Sequence, residues 1–198
     1  MPIKLSLLMC IESDGYKKNM KYSTLFIGGC RSGKSRHAVQ MADAWPTRHK
    51  WFLATCVPQD NEMRERVRYH QQERGPDWQT LQEPIELANA ITRCAQVDDI
   101  VLVDCLTLWV SNLMLDGNED TDIYQRIDQL CRLLSAPPCP IVLVSNEVGA
   151  GIVPENALAR RYRDLVGRTN QQVAAACSQV IWMVAGIPVT IKKAQMVS

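Results

Sequence analysis

The chain has 198 residues, of which 46% are hydrophobic and 22% are charged, an ordinary globular composition that excludes a disordered, collagen-like or coiled-coil chain. Lys and Arg number 22 against 21 Asp and Glu, so the net charge of +1 gives no electrostatic reason to expect nucleic acid or an anionic membrane as a partner. No run of ~18 apolar residues occurs, and we therefore expect no membrane-spanning segment.

The first twenty residues contain one short apolar run, LSLLMCI, whose length and acidic flank do not suit a signal peptide. We expect residues 1–20 to form a loosely held N-terminal extension. Residues 21–198 are expected to form one domain, because the rest of the chain contains no long linker or low-complexity tract.

From residue 24 onward, short apolar runs alternate with longer amphipathic stretches, which is typical of βα units. The pattern predicts strands at 24–28, 51–55, 100–104, 141–145 and 180–184, with an edge strand at 188–191. It predicts helices at 34–44, 61–73, 85–95, 121–134 and 156–177. The runs at 100–103 and 141–144 are apolar throughout, as strands covered on both faces should be. The sequence therefore predicts an α/β domain with a mostly parallel sheet and helices on both faces.

Eight cysteines are spread along the chain, with no CxxC pair and no histidine at zinc-ligand spacing. Several lie inside apolar runs, where a free cysteine behaves as a small hydrophobic residue. We therefore predict reduced thiols in a cytoplasmic protein.

The segment 28–35, GGCRSGKS, matches the phosphate-binding pattern GxxxxGK[ST] and lies between a predicted strand and a predicted helix. Gly28 and Gly33 allow the backbone to curl so that successive N–H groups face one anion at a helix N-terminus. Lys34 is expected to reach the β- and γ-phosphates as a catalytic residue, and the Ser35 hydroxyl is expected to ligate Mg²⁺. The nucleotide-binding candidates in this loop are Gly28, Gly29, Cys30, Arg31, Ser32, Gly33, Lys34 and Ser35.

A phosphate loop of this kind needs an acidic residue at the end of a neighbouring strand, where it holds Mg²⁺ through water. Asp104 directly follows the apolar run at 100–103. The sequence therefore predicts that Asp104 and Ser35 form the metal site and that Asp104 belongs to the nucleotide site.

Three further blocks are distinctive: GGCRSGKSRHA at 28–38, VDCLTLWVSNLM at 103–114, and VSNEVGAGIVPENALARRYRDLVGRTNQ at 144–171. Over about residues 22–192, the chain resembles the bifunctional adenosylcobinamide kinase / adenosylcobinamide-phosphate guanylyltransferase family of cobalamin biosynthesis. The resemblance implies a single P-loop NTPase-type domain that phosphorylates adenosylcobinamide with ATP or GTP. It then implies transfer of GMP from GTP, through a guanylyl-histidine, to give adenosylcobinamide-GDP. It also implies a homo-oligomer, with a trimer as the expected assembly.

The chain has three histidines, at 37, 49 and 70. His70 shares one face of a predicted helix with Met63 and Val67. The family's nucleophile falls in this EMxxRxxxH block, so the resemblance implies that His70 is the guanylylated, catalytic residue. A neutral imidazole is a suitable nucleophile near pH 7 and forms a phosphoramidate. His37 is expected to cap or pack at the start of the P-loop helix, and His49 is expected to lie in a turn before a strand.

The resemblance implies further nucleotide contacts after the second predicted strand, after the histidine and in the segment WQTLQ. These candidates are Ala54, Thr55, Cys56, Gln71, Gln72, Glu73, Arg74 and Gln82. Gln82 stands where the family has a nucleotide-contacting Glu, and Glu83 follows it. A carboxylate can accept two N–H hydrogen bonds from guanine through its two oxygens, whereas an amide has only one acceptor oxygen. The sequence therefore leaves open whether Gln82 or Glu83 contacts the base. Arg160, Arg161, Arg163 and Arg168 are candidates for contact with phosphate or cobinamide.

Two other functions remain open from the sequence: a P-loop kinase of a small metabolite without the second activity, and a guanine-nucleotide switch protein. The guanine-reading pattern NKxD of a switch is missing, because the corresponding strand end has the sequence SNEV at 145–148. Incubation with GTP alone separates these functions, since only a nucleotidyltransferase of this kind retains the α-phosphate covalently.

Overall fold

The structure is a computed structural model that describes residues 22–58, 65 and 75–193. The strands are β1 (Ser23–Gly28), β2 (His49–Ala54), β3 (Trp78–Gln82), β4 (Asp99–Asp104), β5 (Ile141–Asn146), β6 (Gln179–Val184) and β7 (Ile187–Lys192). The helices are α1 (Lys34–Asp43), α2 (Leu87–Cys94), α3 (Leu106–Leu115), α4 (Asp120–Ser135) and α5 (Ala157–Ala176).

The described strands form one sheet in the order β3-β2-β4-β5-β1-β6-β7. Every neighbouring pair is parallel except β6 and β7, which form an antiparallel hairpin at one edge. The predicted mostly parallel sheet is therefore confirmed, and the predicted edge strand at 188–191 corresponds to β7.

Helices cover both faces of the sheet, because alternate residues of the central strands point to two separate clusters. Leu25 and Val101 pack in a cluster with residues of α2, α3, α4 and α5. Their neighbours Phe26 and Leu102 pack on the other face with Ala38 and other residues of α1. Period-two alternation within fully apolar strands thus produces a three-layer domain.

Two elements are absent from the sequence-based prediction. Strand β3 is a short edge strand with a mostly exposed face, and helix α3 buries Leu106, Trp109, Val110 and Leu113. A helix that is apolar around most of its circumference lacks the amphipathic period that would reveal it. The helix predicted at 61–73 lies outside the described residues except for residue 65. Among the residues described, no helix is long and apolar enough to cross a membrane.

The parallel strands bring several predicted site residues to one edge of the sheet. Gly28, Ala54, Gln82, Asp104 and Asn146 are the last residues of β1, β2, β3, β4 and β5. Open α/β sheets bind ligands at this carboxyl edge. The expectation that Asp104 ends a strand next to β1 is wrong, because β5 lies between β1 and β4.

Candidate nucleotide-binding site

The loop between β1 and α1 has the backbone conformation that its glycines permit. Gly33 has a φ of 89° and Arg31 a φ of 54°, so the chain turns twice through the left-handed region before α1 begins. A side chain at Gly28 would place its Cβ 2.4 Å from the carbonyl oxygen of Met183 on β6, which no real contact allows. The backbone N–H of Gly186, in the β6–β7 turn, donates to the Ser32 carbonyl at 3.1 Å. The hairpin therefore supports the loop from the side opposite β5.

Lys34 folds back over this loop. Its Nζ donates to the Gly29 carbonyl at 2.6 Å and to Ser32 Oγ at 3.3 Å. Burial lowers the pKa of Lys34, and the negative charge of Asp104 opposes that shift. Among the residues that the structure describes, the hydrogen-bond partners of this buried ammonium group are neutral, so the local electrostatics favour a bound phosphate.

Asp104 is held at the carboxyl edge by a junction between β2 and β4. The hydroxyl of Thr55 donates to the Cys105 carbonyl at 2.8 Å and accepts from the Cys105 N–H at 2.9 Å. Asn112 on α3 donates to the Thr55 carbonyl at 2.7 Å. Thr55 is completely buried, so its side chain holds the segment after Asp104 and is not accessible to a nucleotide.

Gln82 and Cys56 lie together at the same edge, beside Ala54. Ala54 and Gln82 are paired in the β2–β3 register, and Gln82 Nε2 donates to the Cys56 carbonyl at 3.1 Å. This bond leaves the Gln82 side-chain oxygen available as an acceptor. Burial, with a further contribution from Asp104, raises the pKa of the Cys56 thiol.

The Glu83 carboxylate already has a structural role. Its Oε1 accepts from the N–H groups of Ile85 and Glu86 at 3.1 and 2.8 Å, just before α2, and its Oε2 pairs with Arg93 at 3.4 Å. Unpaired N–H groups at a helix start are commonly satisfied in this way. Of the two alternatives left open by the sequence, the structure gives Gln82 the exposed position.

The described histidines are both engaged. His37 Nδ1 lies 3.0 Å from the Gly33 carbonyl, which makes Nδ1 the donor and places the ring in the first turn of α1, as predicted. His49 is the first residue of β2 rather than a turn residue, and its Nδ1 lies 3.0 Å from the buried carboxylate of Asp99 at the opposite edge of the sheet. The predicted residues His70, Gln71, Gln72, Glu73 and Arg74 lie outside the described residues.

One polar chain at this edge was not predicted from the sequence. Asn146 Nδ2 donates to Thr107 Oγ1 at 3.0 Å, and Thr107 Oγ1 lies 2.9 Å from the Cys105 sulfur. Tyr162 donates to the Thr107 carbonyl at 3.2 Å. Thr107 therefore links the ends of β4 and β5 to α5. Its position three residues after Asp104, in the block VDCLTLW, is the sequence signal that could have identified it.

The four candidate arginines of α5 all contact protein groups. Arg160 donates to the carbonyls of Pro154 and Glu155, and Arg163 donates to the Gly149 carbonyl. Arg161 pairs with Asp120, and the Arg168 guanidinium lies 4.9 Å from the ring centroid of Tyr124. Arg160 and Arg163 thus shape the loop that follows β5, whereas Arg161 and Arg168 join α5 to α4.

The site combines a phosphate-binding loop between a buried parallel strand and a helix, a lysine over that loop, and a carboxylate at the same edge of the sheet. These features define a P-loop nucleotide-binding enzyme with an α/β fold. The flagellar accessory protein FlaH of Methanocaldococcus jannaschii has a similar fold, with a TM-score of 0.51 at 10% identity, over 87% of this chain and 78% of that one.

The family model for cobinamide kinase / cobinamide phosphate guanyltransferase matches residues 24–191, and the chain belongs to this enzyme family. The bifunctional adenosylcobalamin biosynthesis protein CobU of Escherichia coli K12 is 40% identical, covering 85% of this chain and 98% of that protein. CobP of Pseudomonas aeruginosa, which bears the same description, is 41% identical, covering 85% of this chain and 96% of that protein.

Proposed function

We propose that the chain catalyses two successive transfers in cobalamin biosynthesis. ATP or GTP phosphorylates the hydroxyl of adenosylcobinamide, and GTP then gives GMP to the resulting phosphate ester to form adenosylcobinamide-GDP. Family membership and the description of the relatives as bifunctional support this pair of reactions. The observation that carries the proposal is the position of Lys34 Nζ over the loop, where it donates to the Gly29 carbonyl oxygen at 2.6 Å. Burial lowers the pKa of Lys34, and the negative charge of Asp104 opposes that shift.

In the kinase step, the loop 28–35 holds the triphosphate through its backbone N–H groups and the N-terminus of α1. The acceptor oxygen forms a bond to the γ-phosphorus as the bond to the β–γ bridging oxygen breaks. The nucleoside diphosphate leaves, and the proton of the acceptor hydroxyl passes to solvent. Lys34 exchanges its loop carbonyl for phosphate oxygens and neutralises the charge that develops on them. Positioning and charge neutralisation are sufficient for such a transfer, so the step needs no covalent enzyme intermediate.

Mg²⁺ is the cofactor that the P-loop implies, and the residues fit it. Ser35 and Asp104 offer hydroxyl and carboxylate oxygens, which suit this hard cation. Within the described ranges, no group of three or more His, Cys, Asp or Glu residues could hold a metal ion. When bound, the ion would be held by Ser35 and Asp104 and would supply positive charge against the charge that develops on the phosphates.

The second transfer uses His70 as the nucleophile in this proposal. An imidazole nitrogen bonds to the α-phosphorus of GTP while the bond to the pyrophosphate oxygen breaks, and a phosphate oxygen of adenosylcobinamide phosphate then displaces the imidazole. Engagement of His37 Nδ1 by a loop carbonyl and the position of His49 at the opposite edge both support this choice. The exposed Gln82 side-chain oxygen is the candidate acceptor for guanine N–H groups.

The nucleotide-binding residues of the proposal are Gly28, Gly29, Cys30, Arg31, Ser32, Gly33, Lys34, Ser35, Ala54, Cys56, Gln71, Gln72, Glu73, Arg74, Gln82 and Asp104. Thr55 contributes indirectly by fixing the end of β4. The described members of the set belong to the phosphate loop and to the ends of β2, β3 and β4, which reach one edge of the sheet, whereas Gln71, Gln72, Glu73 and Arg74 lie outside the described residues.

The test is incubation with GTP labelled at the α-phosphate, in the absence of cobinamide. We expect label to remain on the protein through a bond that survives alkali but not acid, as a phosphoramidate does. His70→Ala should lose the adduct and the guanylyl transfer but keep kinase activity. His49→Ala is the matched control and should keep both. Undiminished label in His70→Ala would refute the assignment, and a wild-type protein without label would favour a kinase that lacks the second activity.

A further inference from the structure

The loop between β5 and α5, residues 147–156, begins at the phosphate-binding loop. Gly28 and Asn146 are paired in the β1–β5 register, and the N–H of Glu147 donates to the Gly28 carbonyl at 2.9 Å. The first residue of this loop is therefore bonded to the first residue of the P-loop. The loop therefore starts beside the proposed nucleotide site.

Hydrogen bonds fix the shape of this loop. Glu147 Oε1 accepts from the Gly149 N–H at 2.6 Å, and Arg163 donates to the Gly149 carbonyl. Further along, Arg160 donates to the carbonyls of Pro154 and Glu155. Two arginines of α5 thus hold both ends of the loop in one conformation.

Between these two anchors, the loop exposes large aliphatic side chains. Ile152 is 97% exposed and Val153 is 61% exposed, and Leu158 in the first turn of α5 is also exposed. Contiguous apolar residues that are held in place yet left in water are typical of binding surfaces. Neither the triphosphate nor Mg²⁺ offers them an apolar partner.

We propose that Ile152 and Val153 bind the corrin macrocycle of the cobinamide acceptor. This inference rests on the proposed function, because the acceptor hydroxyl must reach the γ-phosphate at the P-loop while the rest of the acceptor lies beside it. A corrinoid is a broad ring system with a methyl-bearing rim and amide side chains, so it can bury more aliphatic surface than the single base of a nucleotide. The bond between Glu147 and Gly28, which starts this loop beside the P-loop, supports the acceptor as its occupant.

The test compares the double variant I152S/V153S with the control V97S/I191S. Val97 lies just before β4 and Ile191 near the end of β7, at the opposite edge of the sheet, and they are 59% and 60% exposed. The controls therefore match the residue types and the exposure of Val153. The readouts are the KM for cobinamide in the kinase reaction, the Kd for GTP, and the oligomeric state by light scattering.

We expect the KM for cobinamide to rise about tenfold or more in I152S/V153S, with the Kd for GTP within about twofold and the oligomeric state unchanged. The control should match the unsubstituted protein in all three measurements. An unchanged KM, an equal rise in the control, or a changed oligomeric state would overturn the inference, the last because it would make a second copy of the chain the occupant. Absence of cobinamide phosphorylation by the unsubstituted protein would instead contradict the proposed function itself.

Discussion

Gly28→Ala tests whether the P-loop depends on close backbone contact with β6. The added Cβ would lie 2.4 Å from the Met183 carbonyl oxygen and 3.0 Å from Ser32 Oγ, whereas ordinary contact begins at 3.4 Å. The Cβ would therefore lie about 1 Å too close to the Met183 carbonyl oxygen. This oxygen belongs to the backbone of a paired strand, so it cannot rotate away as a side chain could. Overpacking of this kind costs about 1–3 kcal/mol in unfolding free energy. At about 2 kcal/mol, the Tm of a chain of this size should fall by about 4–8 °C.

Gly29→Ala is the matched control for stability, because a Cβ at this position meets nothing within 4 Å. Its unfolding free energy should stay within about 0.5 kcal/mol of the unsubstituted protein. Denaturant titration measures the stability of both variants, and equilibrium binding of GTP measures the effect on the loop. We expect Gly28→Ala to weaken GTP binding about tenfold or more, since the displaced backbone carries the N–H groups that face the phosphates. Equal stabilities of the two variants would refute the argument.

Three other outcomes are expected. Lys34→Met should reduce the rates of both transfers on the order of 10²–10³-fold. It should not lower the unfolding free energy, because burial already disfavours the charged form of Lys34. A parallel loss of stability and activity would contradict this expectation. Asp104→Asn should raise the Mg²⁺ concentration needed for half-maximal rate about tenfold. An unchanged Mg²⁺ titration would show that Asp104 has a structural role and does not hold the metal. At pH 8, iodoacetamide should modify exposed Cys30 and leave buried Cys105 unmodified, since burial raises the pKa of Cys105 to about 11 and its thiolate fraction is about 0.1%. GTP should slow the modification of Cys30 as measured by peptide mass spectrometry, and modification at an equal rate with GTP present would argue against nucleotide binding at the loop.

Local patterns predicted the elements that carry local physical signals. The apolar runs at 100–103 and 141–144 became the buried strands β4 and β5, and GGCRSGKS became the loop and the first turn of α1. In each case the determining interactions lie within a few residues: side-chain burial along an apolar run, and backbone freedom at glycine. The amphipathic stretch predicted as a helix at 156–177 became α5, Ala157–Ala176, with Asn156 as the N-cap.

Elements without such signals were missed. The segment WQTLQ forms a strand because its backbone pairs with β2, and nothing in its own pattern required that pairing. Helix α3 is buried against several elements at once, so its sequence shows hydrophobicity without a period. The Thr55–Cys105 hydrogen bonds could not be predicted either, because the two residues are fifty positions apart in the sequence.

By itself, the sequence determined the phosphate-binding loop, the strands on which it depends and, by resemblance, the family. Only the tertiary structure decided the strand order that places β5 between β1 and β4, and with it the position of Asn146 between the P-loop and Asp104. It also decided that Thr55 and Glu83 hold the scaffold while Gln82 remains exposed. A motif depends on interactions between residues that are close together in the sequence, so the sequence alone is enough to recognise it. The role of a polar side chain depends on which distant strand or helix end reaches its hydrogen-bonding groups, and only the folded chain brings those groups together.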